Sequence, residues 1–251
     1  FTDGAVIKII REYTLEAGLR NLEREIAMIC RKLARIRVQN GEMSARLTVD
    51  EEMTAKLLGP RKFTHEIAQA EHRLGVTTGL VWTEFGGEII SVEATLMKGS
   101  QQLILTGSLG SVLRESAQTA LSYVRSNAER FAIDTNFFDG NDIHIHIPAG
   151  AIAKDGPSAG LTIAMALLSL LTARPARRDV ALTGELTLSG SILPVAGIRE
   201  KILAAQRAGI RTVVFPKRNE VDVASLEEDV KQGVQVVLAD EIPHLMEIVL
   251  T

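Results

Sequence analysis

The sequence predicts a small all-helical subdomain followed by a larger domain of the α/β (α+β) class with mixed strand order. Three observations carry that reading. From residue 5 to about residue 58, apolar residues recur at steps of three and four, as along one face of a helix. From Gly75 onward, short runs rich in β-branched residues alternate with helical stretches. Between them, Gly59-Pro60 stops a helix and the composition changes, which sets the expected division at residues 1–62 and 63–251.

In the first part, Val6, Ile9 and Ile10, then Leu15, Leu19 and Leu22, then Ile26, Ile29, Leu33 and Ile36 keep helical spacing, with Gly18 as an interruption and Gly41 as the stop. A shorter helix follows, capped by Thr48, with Asp50, Glu51 and Glu52 at its start and its end near Leu58. In the second part, residues 77–83 and 88–96 read as strands around a hairpin turn at Gly86-Gly87, and residues 101–106 as a third. Gly107-Ser108-Leu109-Gly110 matches no phosphate-loop pattern and reads as a structural turn into an amphipathic helix over residues 111–131. Residues 143–148 form a strand, and the apolar run 161–171 a buried helix. Beyond it come a strand at 180–183, a turn at Gly190, a helix over 198–208 closed by Gly209, strands at 212–215 and 234–238, and a last helix with Pro243 in its first turn.

Composition narrows the function. Hydrophobic residues make up 46% of the chain, so it can bury a core, and the net charge of −3 gives no general pull toward nucleic acid. The local basic run Arg31, Lys32, Arg35, Arg37 reads as a solvated helix face. The single cysteine, Cys30, sits among apolar helical neighbours as a small core residue, which fits a reducing, cytoplasmic setting. No apolar run reaches the roughly 18 residues that span a bilayer, so no membrane is expected. The start, Phe1-Thr2-Asp3-Gly4, has neither an initiator methionine nor a signal-peptide pattern, and the expectation is a fragment of something longer.

The chemistry centres on Lys154-Asp155-Gly156-Pro157-Ser158-Ala159-Gly160, between a strand and the apolar run. Ser158 has two readings: a helix N-cap, which local sequence favours, and a nucleophile whose oxyanion would face backbone amides. Lys201 shifts the balance. It stands three residues after Ile198 and four before Ala205, on or beside the apolar face of its helix, where a lysine must snorkel, find an acid or lose its proton. An unprotonated Lys201 can serve Ser158 as general base. His144 and His146 alternate on one strand and share a face, as a polar strand surface, a His–Ser pair or, with no third ligand at a familiar spacing, a metal site. Asp155 is an orienting carboxylate or a turn residue, and Thr183 and Glu185 are polar neighbours of Lys201 or turn formers. Glu93 alternates with apolar residues on its strand, and Trp82, the single tryptophan, is core or the wall of a substrate groove. There is no complete P-loop.

These motifs resemble those of the bacterial ATP-dependent Lon proteases of the A type, over essentially the whole chain. The Lys154–Gly160 stretch looks like the family's nucleophile motif and Gly197-Ile198-Arg199-Glu200-Lys201 like its lysine motif. Thr183-Gly184-Glu185, Phe215-Pro216-Lys217-Arg218-Asn219 and the set Thr77, Gly79, Trp82 bracket them in the expected order. The stretch from Tyr13 to Leu22 is similar to the sensor-2 helix of a small AAA+ subdomain. Ala149 and Ala153 depart from the family pattern without touching its chemistry. The resemblance implies a Lon-type proteolytic fold behind the helical subdomain, Ser158 as nucleophile, Lys201 as general base and Thr183 as the residue that orients it. Asp155, Glu185, His144, His146 and Glu93 match positions that tune or gate the site. Arg20 matches the arginine that senses ATP, with ATP and Mg held by an ATPase core this chain lacks, and peptide cleavage itself needs no cofactor. Implied partners are unfolded or tagged protein substrates, five further copies in a homohexamer, and weak DNA contact through the AAA+ part; implied roles are protein quality control and stress response. A non-catalytic Lon-like assembly module of an ATPase is the alternative, and a His-x-His metal hydrolase a third reading.

Overall fold

A computed structural model describes residues 1–16, 18–40, 47–63, 71–107, 109–148 and 155–251. The chain divides into two compact units, Phe1–His65 and Glu66–Thr251. Gly41, Lys154, Ala149 and Ala153 lie outside the described residues.

The first unit packs α1 (Asp3–Tyr13), α2 (Arg20–Asn40) and α3 (Glu51–Leu58) around Ile9, Tyr13, Ile29 and Val49. Thr2 caps α1 by accepting from the Ala5 amide at 3.1 Å. α3 is capped by Asp50, which accepts from Met53 at 2.9 Å, and not by Thr48 as expected; the aspartate stands directly before the first helical residue. Cys30 is exposed rather than in the core. With about 100° per residue, it falls on the flank of the stripe formed by Leu22, Ile26, Ile29 and Leu33, and the flank faces outward.

The second unit is built on a seven-stranded sheet. Its strands are β1 (Val76–Thr83), β2 (Gly86–Lys98), β3 (Leu103–Thr106), β4 (Asn141–His146), β5 (Val180–Leu182), β8 (Thr212–Pro216) and β9 (Gln235–Ala239), in the order β3-β4-β2-β1-β5-β8-β9. β1 with β2 and β2 with β4 run antiparallel; the other neighbours are parallel. β6 (Glu185–Leu186) and β7 (Ile192–Leu193) form a separate hairpin. The helices are α4 (Ser111–Ser126), α5 (Gly160–Leu171), α6 (Ile198–Arg207), the short α7 (Glu220–Ala224) and α8 (Glu228–Lys231), and α9 (Ile242–Val249).

Strand alternation splits the core in two. Ile90, Val92, Ala94, Ile143, Ile145 and Ile147 pack with α4 and α5, whereas Leu80, Ile89, Ala181, Val213 and Phe215 pack with α6. α5 is apolar all round and is buried from Gly160 through Ser169. Its polar groups are matched: Thr162 Oγ1 donates to the Leu182 carbonyl at 3.1 Å, and Ser169 Oγ to the Arg174 carbonyl at 2.6 Å. A helix so fixed gives the turn at its N-terminus a rigid base.

One expected turn moves. Thr83 pairs with Gly86, so the hairpin turn is Glu84-Phe85, and Gly86 and Gly87 belong to β2. The glycine at 87 answers to packing: a Cβ there would lie 2.0 Å from the Glu200 carbonyl of α6.

Candidate active site

Ser158 sits in a single 3-10 turn, Pro157–Ala159, directly before α5. The residue at the cap of α5 is Ala159, with no side-chain cap bond, so the capping reading of Ser158 is overturned. The turn is held through its backbone. The Ser158 carbonyl accepts from the Gly184 amide at 2.8 Å and from Thr183 Oγ1 at 3.3 Å, and the Leu161 amide returns a bond to the Gly184 carbonyl at 3.0 Å. Residues 158–161 are thus laced to the segment that follows β5. Among the described residues the Ser158 hydroxyl has no hydrogen-bond partner.

Lys201 is 2% exposed, so it does not snorkel. It lies in the buried stripe of α6 with Ile198, Ile202, Ala204 and Ala205. Its Nζ donates to Thr183 Oγ1 at 2.9 Å. Burial is the cause of its lowered pKa, about 8 against an ordinary 10.5, because the ammonium form loses its hydration without gaining an acid. The polarity of this short chain matters. Thr183 has one proton, which it commits to the Ser158 carbonyl, so Lys201 must be the donor to Thr183. A neutral Lys201 amine therefore keeps its lone pair free. Thr183, 0% exposed, joins the lysine to the serine-bearing turn.

A cavity of about 360 Å³ opens beside Ser158, lined by Val81, Trp82, Thr83, Glu84, Phe85, Ile90, Leu113, Asp155, Gly156, Ser158 and Ala159. Trp82 is 56% exposed and forms a wall of this groove rather than core. Its ring rests on Gly197, where a Cβ would come 2.6 Å from Trp82 Cγ and where φ is +73°.

The remaining sequence-predicted residues divide. Asp155 accepts from the Leu113 amide at 3.0 Å, a carboxylate capping the first turn of α4 from another part of the chain. Gly110 makes room for it, since a Cβ there would lie 2.1 Å from Asp155 Cγ. Glu185 is half-buried on β6, beside the Ser158 turn. His144 and His146 share a face of β4 but bind Thr106, whose Oγ1 lies 2.9 Å from His144 Nε2 and 2.7 Å from His146 Nδ1; neither bonds to Ser158. Glu93 on β2 stands opposite His146 on β4 and is exposed. Among the described residues no group of three or more His, Cys, Asp or Glu side chains is placed to hold a metal ion. Arg20 is exposed at the first residue of α2, where the Glu16 carboxylate takes the amides of Asn21 and Leu22 at 2.8 Å each; its guanidinium is the group there that suits a phosphate. Sequence reasoning missed Thr106, the Leu113 amide and Asn219 as a structural partner. Only Asn219, set among the quoted motifs, left a signal.

Fold and site together describe an α/β domain in which a serine-bearing turn before a buried helix is joined through Thr183 to a buried lysine. Residues 48–251 match the profile described as the Lon protease (S16) C-terminal proteolytic domain, and residues 1–46 that of the Lon protease AAA+ ATPase lid domain. The chain is 51% identical over 255 residues to the Lon protease of Chloroflexus aggregans, covering 100% of this chain and 31% of that protein. It is 51% identical over 248 residues to the Lon protease of Dictyoglomus thermophilum (98% and 31%) and 51% identical over 236 residues to Lon protease 1 of Myxococcus xanthus (94% and 29%). The chain belongs to the Lon protease family, and spans about a third of the length of these relatives. Among the described residues no helix is long and apolar enough to cross a membrane.

Proposed function

We propose that the second unit is a serine endopeptidase working through Ser158 and Lys201. The observation that carries this reading is the buried Lys201 amine, held by Thr183 with its lone pair uncommitted, next to a serine turn bordering a groove. The neutral amine takes the Ser158 proton as Oγ attacks the scissile carbonyl carbon. Backbone amides around the turn receive the oxyanion. The ammonium then returns its proton to the leaving amine as the C–N bond breaks, which leaves an acyl ester on Ser158. Water, deprotonated by the same amine, attacks that ester and frees the serine. Side chains and amides supply nucleophile, base and oxyanion donors, so this cleavage draws on no cofactor. On the groove walls Val81, Trp82, Phe85, Ile90 and Leu113 offer apolar contact for a substrate side chain, beside the polar Thr83, Glu84 and Asp155.

In the longer protein, on this reading, ATP and Mg act in the ATPase part. Arg20 faces the nucleotide, six copies form the ring, and unfolded or tagged proteins are the substrates. A weak DNA contact has a physical basis in α2: Arg20, Arg24, Arg31 and Arg35 are all exposed and fall within about 60° of the helix wheel. The test of the dyad is single-turnover acylation by an activated peptide ester. Lys201→Gln should slow acylation by at least about a hundredfold at pH 8; near-parental acylation would sink the reading.

A further inference from the structure

Asn219 is 1% exposed, at the end of the 3-10 turn Lys217–Asn219 that follows β8. Its carboxamide holds both polar backbone groups of Val195: Oδ1 accepts from the Val195 amide at 3.0 Å, and Nδ2 donates to the Val195 carbonyl at 2.9 Å. Nδ2 also donates to Asp222 Oδ2 at 2.7 Å. A carboxylate only accepts, so Asp222 fixes which way the amide faces. Val195 lies between two parts of the site. Before it, β7 closes the hairpin whose other strand, β6, starts just after the Thr183-Gly184 segment laced to the Ser158 turn; after it, Gly197 begins α6, which carries Lys201. The same β8 strand holds the Thr183 amide through the Val214 carbonyl at 3.2 Å. β8 and its end turn are therefore a common frame for both partners of the Lys201–Thr183 bond.

We propose that Asn219 is a positioning residue for Lys201: by clamping Val195 to the end of β8, it sets where α6 begins and so keeps the Lys201 amine on Thr183 and out of water. The inference deepens the Ser158–Lys201 reading and rests on it. Loss of the clamp frees the start of α6, where Gly197 has left-handed backbone and carries Trp82, and lets water reach Nζ. From the elements packed on α6, the ionisable groups are Glu88, Glu93 and Lys98 on β2, Glu220 and Asp222 on α7, and Glu228, Asp229 and Lys231 on α8; α6 itself adds Arg199, Glu200 and Arg207. Burial is the only cause of the lowered Lys201 pKa, so hydration of this amine is what a loosened helix would change.

Asn219→Asp puts an oxygen where Nδ2 faces two acceptors, and Asp222→Asn, at an exposed position, removes the orienting charge alone. Two readouts on the 251-residue chain decide the matter: NMR titration of the Lys201 side chain, assigned by its loss in Lys201→Met, and the pH profile of kcat for a peptide ester. Asn219→Asp should lower kcat at pH 8 by about 10- to 100-fold with KM nearly unchanged. The Lys201 titration and the acidic limb of kcat should move up together by about one pH unit or more, and Asp222→Asn should move both less in the same direction. The double variant should recover part of the loss, since an amide at 222 can donate to the new carboxylate. A merely structural role would lower the unfolding midpoint and leave both titrations at about 8, and that result overturns the proposal. If Asn219→Asp does not fold, unmoved titrations in Asp222→Asn overturn it equally. Failure of the dyad reading has a different signature: Lys201→Met keeps the activity of the unaltered chain.

Discussion

Lys201→Met should stabilise the second unit at pH 7. The folded chain holds the lysine at a pKa of about 8, against 10.5 for the free side chain. Below pH 8 the ammonium is buried and its lost hydration opposes folding in full. That opposition fades as pH rises from about 8 to 10.5, because over this window the unfolded chain binds more protons than the folded one. At 1.36 kcal/mol per unit, the penalty at pH 7 is roughly 3 kcal/mol. Methionine matches the length of the lysine stem and carries no charge. It loses the 2.9 Å bond to Thr183, worth about 1 kcal/mol. The net expectation is a gain of about 2 kcal/mol at pH 7, or roughly 4–8 °C in the midpoint of a unit this size, turning into a loss of about 1 kcal/mol near pH 10.5. Urea unfolding of both chains at a series of pH values measures it. A Lys201→Met chain that is less stable by the same amount at pH 7 and pH 10 would refute the claim that a desolvated amine sits in this core.

Two further substitutions test the scaffold. Gly87→Ala places a methyl 2.0 Å from the Glu200 carbonyl, so α6 must shift; esterase kcat should fall about tenfold or more while the sheet persists by circular dichroism, and unchanged kcat would show that α6 has slack there. Asp155→Ala removes the carboxylate from the Leu113 amide and should cost about 1 kcal/mol in urea unfolding, with Asp155→Asn losing less; a change under about 0.3 kcal/mol would mean the cap contributes nothing.

How much of this was legible in the sequence differs by residue. The buried helix α5 was visible because its apolar run leaves no polar face, and Lys201 because helical spacing alone puts it on the buried stripe. The depth of its burial was not, since that depends on how closely α6 packs on β2, which Gly87 permits. Gly86-Gly87 misled for the same reason: glycine marks a turn or a close approach, and local sequence does not separate the two. Ser158 resembled a cap because a serine before a helix usually is one, yet a 3-10 turn moves the helix start to Gly160. The histidines share a strand face as expected, but their partner, Thr106, comes from the parallel neighbour β3, which lies about forty residues back in the chain. α7 and α8 went unseen because five- and four-residue helices rich in charge carry no periodic signal. Cys30 shows the limit of a helical wheel: the flank of a stripe is buried or exposed according to what packs there.

Activation of Ser158 by Lys201 can be read out by covalent capture. A fluorophosphonate or peptide boronate is mixed with the chain across pH 6 to 10, and the adduct is located by intact mass and peptide mapping. One adduct is expected, on Ser158, forming at a rate that rises through pH about 8 and is lost in Lys201→Met. Labelling of Ser158 at an equal rate in Lys201→Met, or no labelling of Ser158 at any pH, would contradict it.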